Sequence, residues 1–508
     1  MAVIRSENTI QQVATLFSID KNRTVFPVAL LLFAIFCRAA TFGNPLVHID
    51  EQFYMFTGGR ILQGDLPYVQ IWDRKPLGLF LLYAFFHLFG PWRFWAYQIG
   101  ALLSVWGTAL LLMRMAGTIA SRKGAFVAAL LYITWLNLAG GEGGQSPVFY
   151  NLLVVAAMAL VLFRVVLAVP SDRTLRNTGC QAMLLVGLAL QVKYTAVFEG
   201  LFLGIFLLWD NWRVRNSVSV VIRNALLWCI LAVLPTVIVA AVYYAGGYGH
   251  DWLFANVESI FLRGSRSAAT LRANKARLLL LAAPLVISAM AGCGYRLKYG
   301  APLKGTAVSA LQFLSLWALS ACVGVAVFGG WYTHYALPLL PPLTLLCAPL
   351  WDIPKGRIYF TLLLLAAVFF GQKDIHKHMK QHGDDHDLNQ MVASMSRPIG
   401  CMFVYQGPII LYDVLPWCGL TTHPFPGHFN EYTERQATGI DPQKELQHVL
   451  AASPEYVVTE EPAWPEENLA VRSQLYEVLR SRYHEYYKRK QSKKDEFLVF
   501  YKLNDGKP

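Results

Sequence analysis

Charge is what this chain has least of. Asp, Glu, Lys and Arg make up 15% of its 508 residues, while 55% are apolar. Soluble domains carry about a quarter charged residues, so most of this protein does not face water. Cysteine is sparse and scattered. Cys37, Cys180, Cys229, Cys293, Cys322 and Cys347 lie in or beside apolar runs, where a thiol usually serves as a small buried hydrophobe. No C-x-x-C or His-rich spacing suits zinc, and no metal or other cofactor is expected. Cys401 and Cys418 are the pair in the polar tail, and a disulfide between them is expected if that tail lies outside the cytoplasm. A P-loop, a Gly-rich dinucleotide fingerprint and a Gly-x-Ser-x-Gly elbow are all missing, which argues against a nucleotide-driven pump or a serine hydrolase. The formal net charge of +12 does not call for nucleic acid. Arg and Lys collect between apolar runs, as they do in the cytoplasmic loops of membrane proteins.

What the chain has is long apolar runs between residues 25 and 371. A spanning helix needs about 20 apolar residues, with about 17 tolerable. Candidate spans are 25–42, 93–113, 124–140, 147–168, 178–194, 196–211, 224–247, 278–294, 306–328, 336–350 and 357–371. The stretch 76–90 is apolar as well. If it does not cross, the loops holding Arg114, Arg122 and Lys123, then Arg173 and Arg176, Arg213 and Arg215, Arg296, Lys298 and Lys304, and Lys355 and Arg357 all face the cytoplasm. If it crosses, every one of them moves outside, against the positive-inside rule. The stretch 76–90 therefore reads as a juxtamembrane helix on the outer leaflet. For the same reason 178–211 reads as a helical hairpin with Lys193 at its outer tip. The polar leader with Arg5, Lys21 and Arg23 reads as the cytoplasmic side of an uncleaved signal anchor. The fold class expected is an α-helical polytopic membrane protein of about eleven spans plus juxtamembrane helices, with a C-terminal soluble α/β domain. The boundary falls between 1–371 and 372–508, with the tail extracytoplasmic. In the tail, apolar runs at 402–406, 409–414, 456–459 and 496–501 alternate with helical stretches near 442–452 and 466–481, and His428, Phe429 and Tyr432 lie in or after a Pro-rich loop.

This threading gathers the unusual polar residues on one face. Asp50 and Glu51 follow the first apolar run, and paired acids beside a span are costly unless used. They suit a general base that deprotonates an attacking hydroxyl; the plainer reading is that they meet the free N–H groups of a helix starting near Gln52. Lys75, with Arg74 before it and Pro76 at the first helical position, would sit at a helix N-terminus that also favours an anion such as phosphate; the plainer reading is a snorkelling cation. Lys193 is a second candidate for phosphate. Glu142 and Gln145 lie in a Gly-rich, flexible outer loop (Gly140, Gly141, Gly143, Gly144) that permits close backbone approach to a ligand. The loop 248–277 carries Arg263, Arg266, Arg272, Lys275 and Arg277 among apolar residues, and resembles an amphipathic helix that gates a site or binds an anionic lipid. His334, between Tyr332 and Tyr335, belongs to an aromatic belt or contacts donor phosphate or sugar.

In order along the chain stand Asp50-Glu51 with Tyr54, Gly64-Asp65-Leu66-Pro67-Tyr68, Lys75-Pro76-Leu77, Phe89-Gly90, Lys193, and His334-Tyr335 with Pro338. This series resembles bacterial GT-C glycosyltransferases, the superfamily of protein O-mannosyltransferases, aminoarabinose transferases and galacturonosyl-type transferases, over about residues 25 to 350. The resemblance implies a polyprenyl-phosphate sugar donor, a glycan, lipid or protein acceptor in the envelope, an outward-facing site in the bacterial inner membrane, and inversion at the anomeric carbon. It implies Asp50 as base with Glu51 beside it, and Lys75 as phosphate ligand with Arg74, Lys193 and His334 as further candidates. Tyr54, Tyr68, Glu142, Gln145, Arg263 and Arg266 would contact substrate. One departure stands out. Relatives often carry a second acid as Asn-Thr-Glu before an aromatic in the loop after the third span. Here that stretch reads Gln145-Ser146-Pro147-Val148-Phe149, with Glu142 displaced. The alternative from another class is a transporter or flippase of lipid-linked sugars, which would show internal symmetry and midplane charges; a non-catalytic assembly factor would make the outer acids dispensable.

Overall fold

The computed structural model describes residues 24–168, 170–215, 217–299, 306–396, 398–491 and 495–504. The leader with Arg5, Lys21 and Arg23, and Lys304, lie outside the described residues. The helices, in chain order, are α1 (Val25–Arg38), α2 (Ile49–Leu62), α3 (Leu77–His87), α4 (Arg93–Ala116), α5 (Arg122–Leu138), α6 (Ser146–Val161), α7 (Asp172–Leu190), α8 (Val197–Arg215), α9 (Val218–Ala245), α10 (Ala268–Tyr299), α11 (Thr306–Phe328), α12 (Leu340–Cys347), α13 (Pro354–His382), α14 (Asp385–Ser394), α15 (Pro426–Asn430), α16 (Pro442–Ala451) and α17 (Leu469–Arg482). The strands are β1 (Met402–Val404), β2 (Tyr456–Glu461), β3 (Tyr483–Lys490) and β4 (Phe497–Leu503).

Among the described residues, six helical stretches are long and apolar enough to cross a membrane: Gly90–Ala116, Ser146–Val166, Val218–Ala245, Ala268–Tyr299, Ser309–Phe328 and Pro354–Ser394. The other candidate spans are helical but shorter, as α1 is, or interrupted by charge, as α8 is by Glu199 and Asp210. Leu77–His87, the stretch read as juxtamembrane, is an eleven-residue helix, far below the length of a bilayer crossing. Local chemistry sets several starts. Ser121 and Ser171 accept the backbone N–H of Gly124 and Thr174, capping α5 and α7, and Asp384 and Asp387 form a reciprocal capping box on α14.

The chain divides into two compact units. One comprises 1–40, 99–236 and 272–374; the other comprises 41–98, 237–271 and 375–508. In the first, the core is helical and aromatic, built on the fully buried Tyr132, Tyr150, Trp228 and Trp317. In the second, α2 packs on α3 at Gly58, where a Cβ would lie 2.5 Å from the backbone nitrogen of Ala84. Only glycine permits that approach. Phe53 and Tyr54 then interlock with Phe80 and Tyr83.

The same unit contains a four-stranded sheet ordered β1–β2–β4–β3. Strands β1 and β2 are parallel, with Phe403 opposite Val457; β2 and β3 flank β4 antiparallel. Phe403, Phe429, Leu446, Val449, Val457, Val471, Leu475 and Leu479 form the core between the sheet and α15, α16 and α17. Two details differ from the sequence reading. The apolar run 409–414 closes into a short helical turn, Leu411–Val414, and not a strand. Tyr483–Lys490, rich in charge, is the edge strand: most of its side chains are exposed, where Lys and Glu can reach water. Cys401 and Cys418 are disulfide-bonded.

Candidate functional site

Asp50 and Glu51 occupy the first turn of α2, after an extended His48 at the N-cap. Glu51 is buried, whereas Asp50 is a quarter exposed. The turn from α2 to α3 then delivers Lys75. Tyr68, held at φ 72° in the left-handed region, donates its hydroxyl to the Lys75 carbonyl at 2.8 Å, and Tyr243 braces the same turn through Pro67. Pro76 is the N-cap of α3 and not its first helical residue. Its fixed, extended geometry places Lys75 just outside the helix, where the side chain turns back.

There the ammonium meets two acids. Lys75 Nζ lies 3.1 and 3.3 Å from the Asp73 carboxylate oxygens and 3.8 Å from Asp50 Oδ1. The Lys75 backbone N–H also donates to Asp73, at 2.8 Å. The rings of Tyr54 and Phe425 sit 5.4 and 5.5 Å from Nζ, adding cation–π attraction. Burial pulls the ammonium towards neutrality, but Asp73 and Asp50 outweigh it and raise its pKa, so Lys75 stays charged. Asp73 is itself almost wholly buried and lies 3.7 Å from His428 Nε2. His428 rides on α15, edge-on to Trp72. Burial, then the cations around it, hold its pKa far below the usual imidazole range. Burial likewise lowers neighbouring His423 to about 4.

Arg74 points the other way. Its guanidinium pairs with Glu434 at 2.5 Å, donates to the Ala437 carbonyl and to Ser259 Oγ, and stacks over Trp72. Arg263 joins Glu434 at 2.7 Å, and Arg266 pairs with Glu431. Three arginines thus meet two carboxylates, with the backbone N–H of Gly264 bonded to the Thr433 carbonyl. The expected amphipathic helix over 248–277 is realised in part. Gly249–Phe261 is helical, Arg263 and Arg266 lie on the non-helical stretch that follows, and Arg272, Lys275 and Arg277 belong to α10.

The remaining candidates belong to the first unit. Lys193, in extended conformation between α7 and α8, lines a narrow cleft with Pro147, Tyr150, Glu199, His334 and Tyr335. Its Nζ lies 5.5 Å from the Tyr335 ring, and His334 stacks on Tyr332. Glu142 and Gln145 are buried, the latter as N-cap of α6. The Gly-rich loop, expected to be flexible, is instead buried and tethered. Arg38, buried at the end of α1, donates to the carbonyls of Gly141 (2.8 Å) and Gly143, and Gly140 supplies the left-handed φ of 76° that lets the loop fold back. Two charged residues escaped the sequence reading: Arg38, and Glu199 in the Lys193 cleft. Each was signalled only by being a charge inside an apolar run.

Residues 73–239 match the family model described as dolichyl-phosphate-mannose-protein mannosyltransferase. Among solved structures, ArnT from Cupriavidus metallidurans bound to undecaprenyl phosphate superposes with a TM-score of 0.57 at 12% identity, over 95% of this chain and 98% of that one. Its apo state gives 0.58 at 12% identity, over 94% and 97%. The chain shares the fold of ArnT. The oligosaccharyltransferase of Archaeoglobus fulgidus tethered to an acceptor peptide gives a TM-score of 0.49 at 10% identity, over 86% and 69%. No curated protein matches the chain in sequence. The likeness of fold extends past the span of the sequence resemblance, since the superposition with ArnT takes in 95% of the chain.

Proposed function

We propose that this protein is a membrane glycosyltransferase that moves a sugar, with inversion, from a polyprenyl-phosphate carrier to a glycan, lipid or protein acceptor on the extracytoplasmic face of a bacterial inner membrane. The observation that carries the reading is Lys75: a charged ammonium, fixed by Asp73, stands 3.8 Å from the partly exposed carboxylate of Asp50. A base and a phosphate-compatible cation thus share one place, within a GT-C fold whose solved counterpart binds undecaprenyl phosphate.

In this scheme Asp50 takes the proton of the acceptor hydroxyl as its oxygen attacks the anomeric carbon. The bond from that carbon to the phosphate oxygen breaks, and the polyprenyl phosphate leaves with one more negative charge than it had as a diester. Lys75 stabilises that growing charge, and a pre-positioned cation in a water-poor site is worth most at this moment. Because Lys75 supplies the electrophilic assistance, the scheme requires no metal. The 1–371 segment supplies the base and the cation in this reading, and 372–508 is an extracytoplasmic domain that adds Phe425 and His428 beside them. The Cys401–Cys418 bond supports that placement, since disulfides persist in oxidising compartments. The N-terminus is then cytoplasmic.

The test is to incubate purified protein with radiolabelled polyprenyl-phosphate sugar and a membrane extract. Label on a new acceptor is the expected result. Label that only crosses a vesicle bilayer would make the protein a transporter of lipid-linked sugars instead.

A further inference from the structure

A second cavity of the first unit lies outside the candidate site. It is an open groove lined by α8, α11 and Val165 and Val166, which follow α6. Its wall is aromatic. Phe206 and Phe313 have ring centres 4.7 Å apart, Phe202 adds to Phe313 at 5.5 Å, and Trp209 adds to Phe206 at 5.8 Å. Its end is polar, formed by Asp210, Arg213 and Gln312.

Asp210 is only 4% exposed, a severe position for a carboxylate on an otherwise apolar helix. One oxygen, Oδ1, accepts from Arg213 Nη2 at 3.0 Å. The other, Oδ2, is buried and meets no donor among the described residues. A buried carboxylate oxygen left in that state is costly, and a cationic N–H is what would satisfy it best. Arg213 meanwhile is 62% exposed, with its guanidinium 5.0 Å from the centre of the Trp209 ring. Aromatic trough, buried acceptor and exposed guanidinium thus offer one partner each to the acyl chain, the ammonium and the phosphate of a zwitterionic amphiphile.

We propose that this groove binds a zwitterionic phospholipid with a primary ammonium headgroup, such as phosphatidylethanolamine. One acyl chain lies along Phe202, Phe206 and Phe313, the ammonium donates to Asp210 Oδ2, and the phosphate pairs with Arg213. The charges then alternate and sum to zero, which suits a site beside hydrocarbon. A choline headgroup has no N–H to give Oδ2, and an anionic headgroup lacks the cation.

The experiment is native mass spectrometry of the full-length protein in detergent micelles, titrated with phosphatidylethanolamine, phosphatidylcholine and phosphatidylglycerol of identical chains. Wild type is expected to hold the ethanolamine lipid roughly tenfold more tightly than the choline lipid, the value of one charge-assisted hydrogen bond. Asp210→Asn should abolish that preference, Asp210→Glu should restore it in part, and Arg213→Gln should weaken all three lipids. Equal retention of the ethanolamine and choline lipids by wild type would overturn the proposal, as would an unchanged preference in Asp210→Asn. Preferred retention of phosphatidylglycerol would overturn it too. The readout is lipid retention and not transfer, so it stands or falls apart from the glycosyltransferase reading.

Discussion

Replacing Lys75 by Gln leaves a hydrogen-bond donor in place and removes the charge. If Lys75 answers the charge growing on a leaving phosphate, the turnover of that variant should fall by on the order of 10²–10³, as when one oxyanion donor is lost. Asp50→Asn keeps shape and loses the base; transfer should vanish while the protein still purifies as a folded species. Both are read with labelled donor, and full activity of Asp50→Asn would remove that residue from the chemistry. His428 acts at one remove, through Asp73. His428→Gln should reduce turnover about tenfold without much change in the pH profile, because the imidazole is already neutral near pH 7. Sequence pattern alone brought Asp50, Glu51 and Lys75 forward, since acids and cations beside apolar runs stand out. It placed His428 only in a Pro-rich loop and could not bring it to Asp73, because their meeting spans more than 350 residues.

At the scale of elements, α2 and α3 depend on one glycine. Gly58→Ala puts a methyl group against the backbone of Ala84, and should cost about 1–3 kcal/mol through overpacking. The measurement is thermal unfolding in detergent, with Gly58→Val as the more severe case. The paired histidines give the second prediction. His423 is held near 4 by burial, below the ordinary imidazole value of 6.5. The unfolded chain therefore binds more protons below that value, and stability falls as pH drops from about 6.5 towards 4, by about 3 kcal/mol for this group. A melting curve that flattens in His423→Gln over that window would confirm it. The helices were readable because apolar runs of spanning length leave few alternatives. The edge strand β3 was not, since its register is set by pairing with Phe497–Leu503 and its own side chains are largely polar. Nor was the tethering of the Gly-rich loop, where composition suggested looseness and a single guanidinium imposes order.

For the whole molecule, sidedness is what the proposed chemistry needs. Cysteines placed at 50 and 75 should react with an impermeant maleimide added outside spheroplasts, and reagent access from the cytosol alone would leave the reaction no compartment. Chelation gives a complementary check: transfer by the purified enzyme should be unchanged by EDTA, since Lys75 and not a metal carries the charge in the scheme above.

Arg38 has a consequence for how such a chain is made. Its guanidinium ends the first apolar helix, yet the carbonyl that receives it belongs to Gly141, 103 residues later. During synthesis at about 5–20 residues per second, that cation waits several seconds before its acceptor has been translated. Through that interval the nascent helix must keep the guanidinium at the water boundary or borrow another partner. The final seat of the first helix is therefore fixed late, once the segment that ends in Gly143 has entered the membrane beside it.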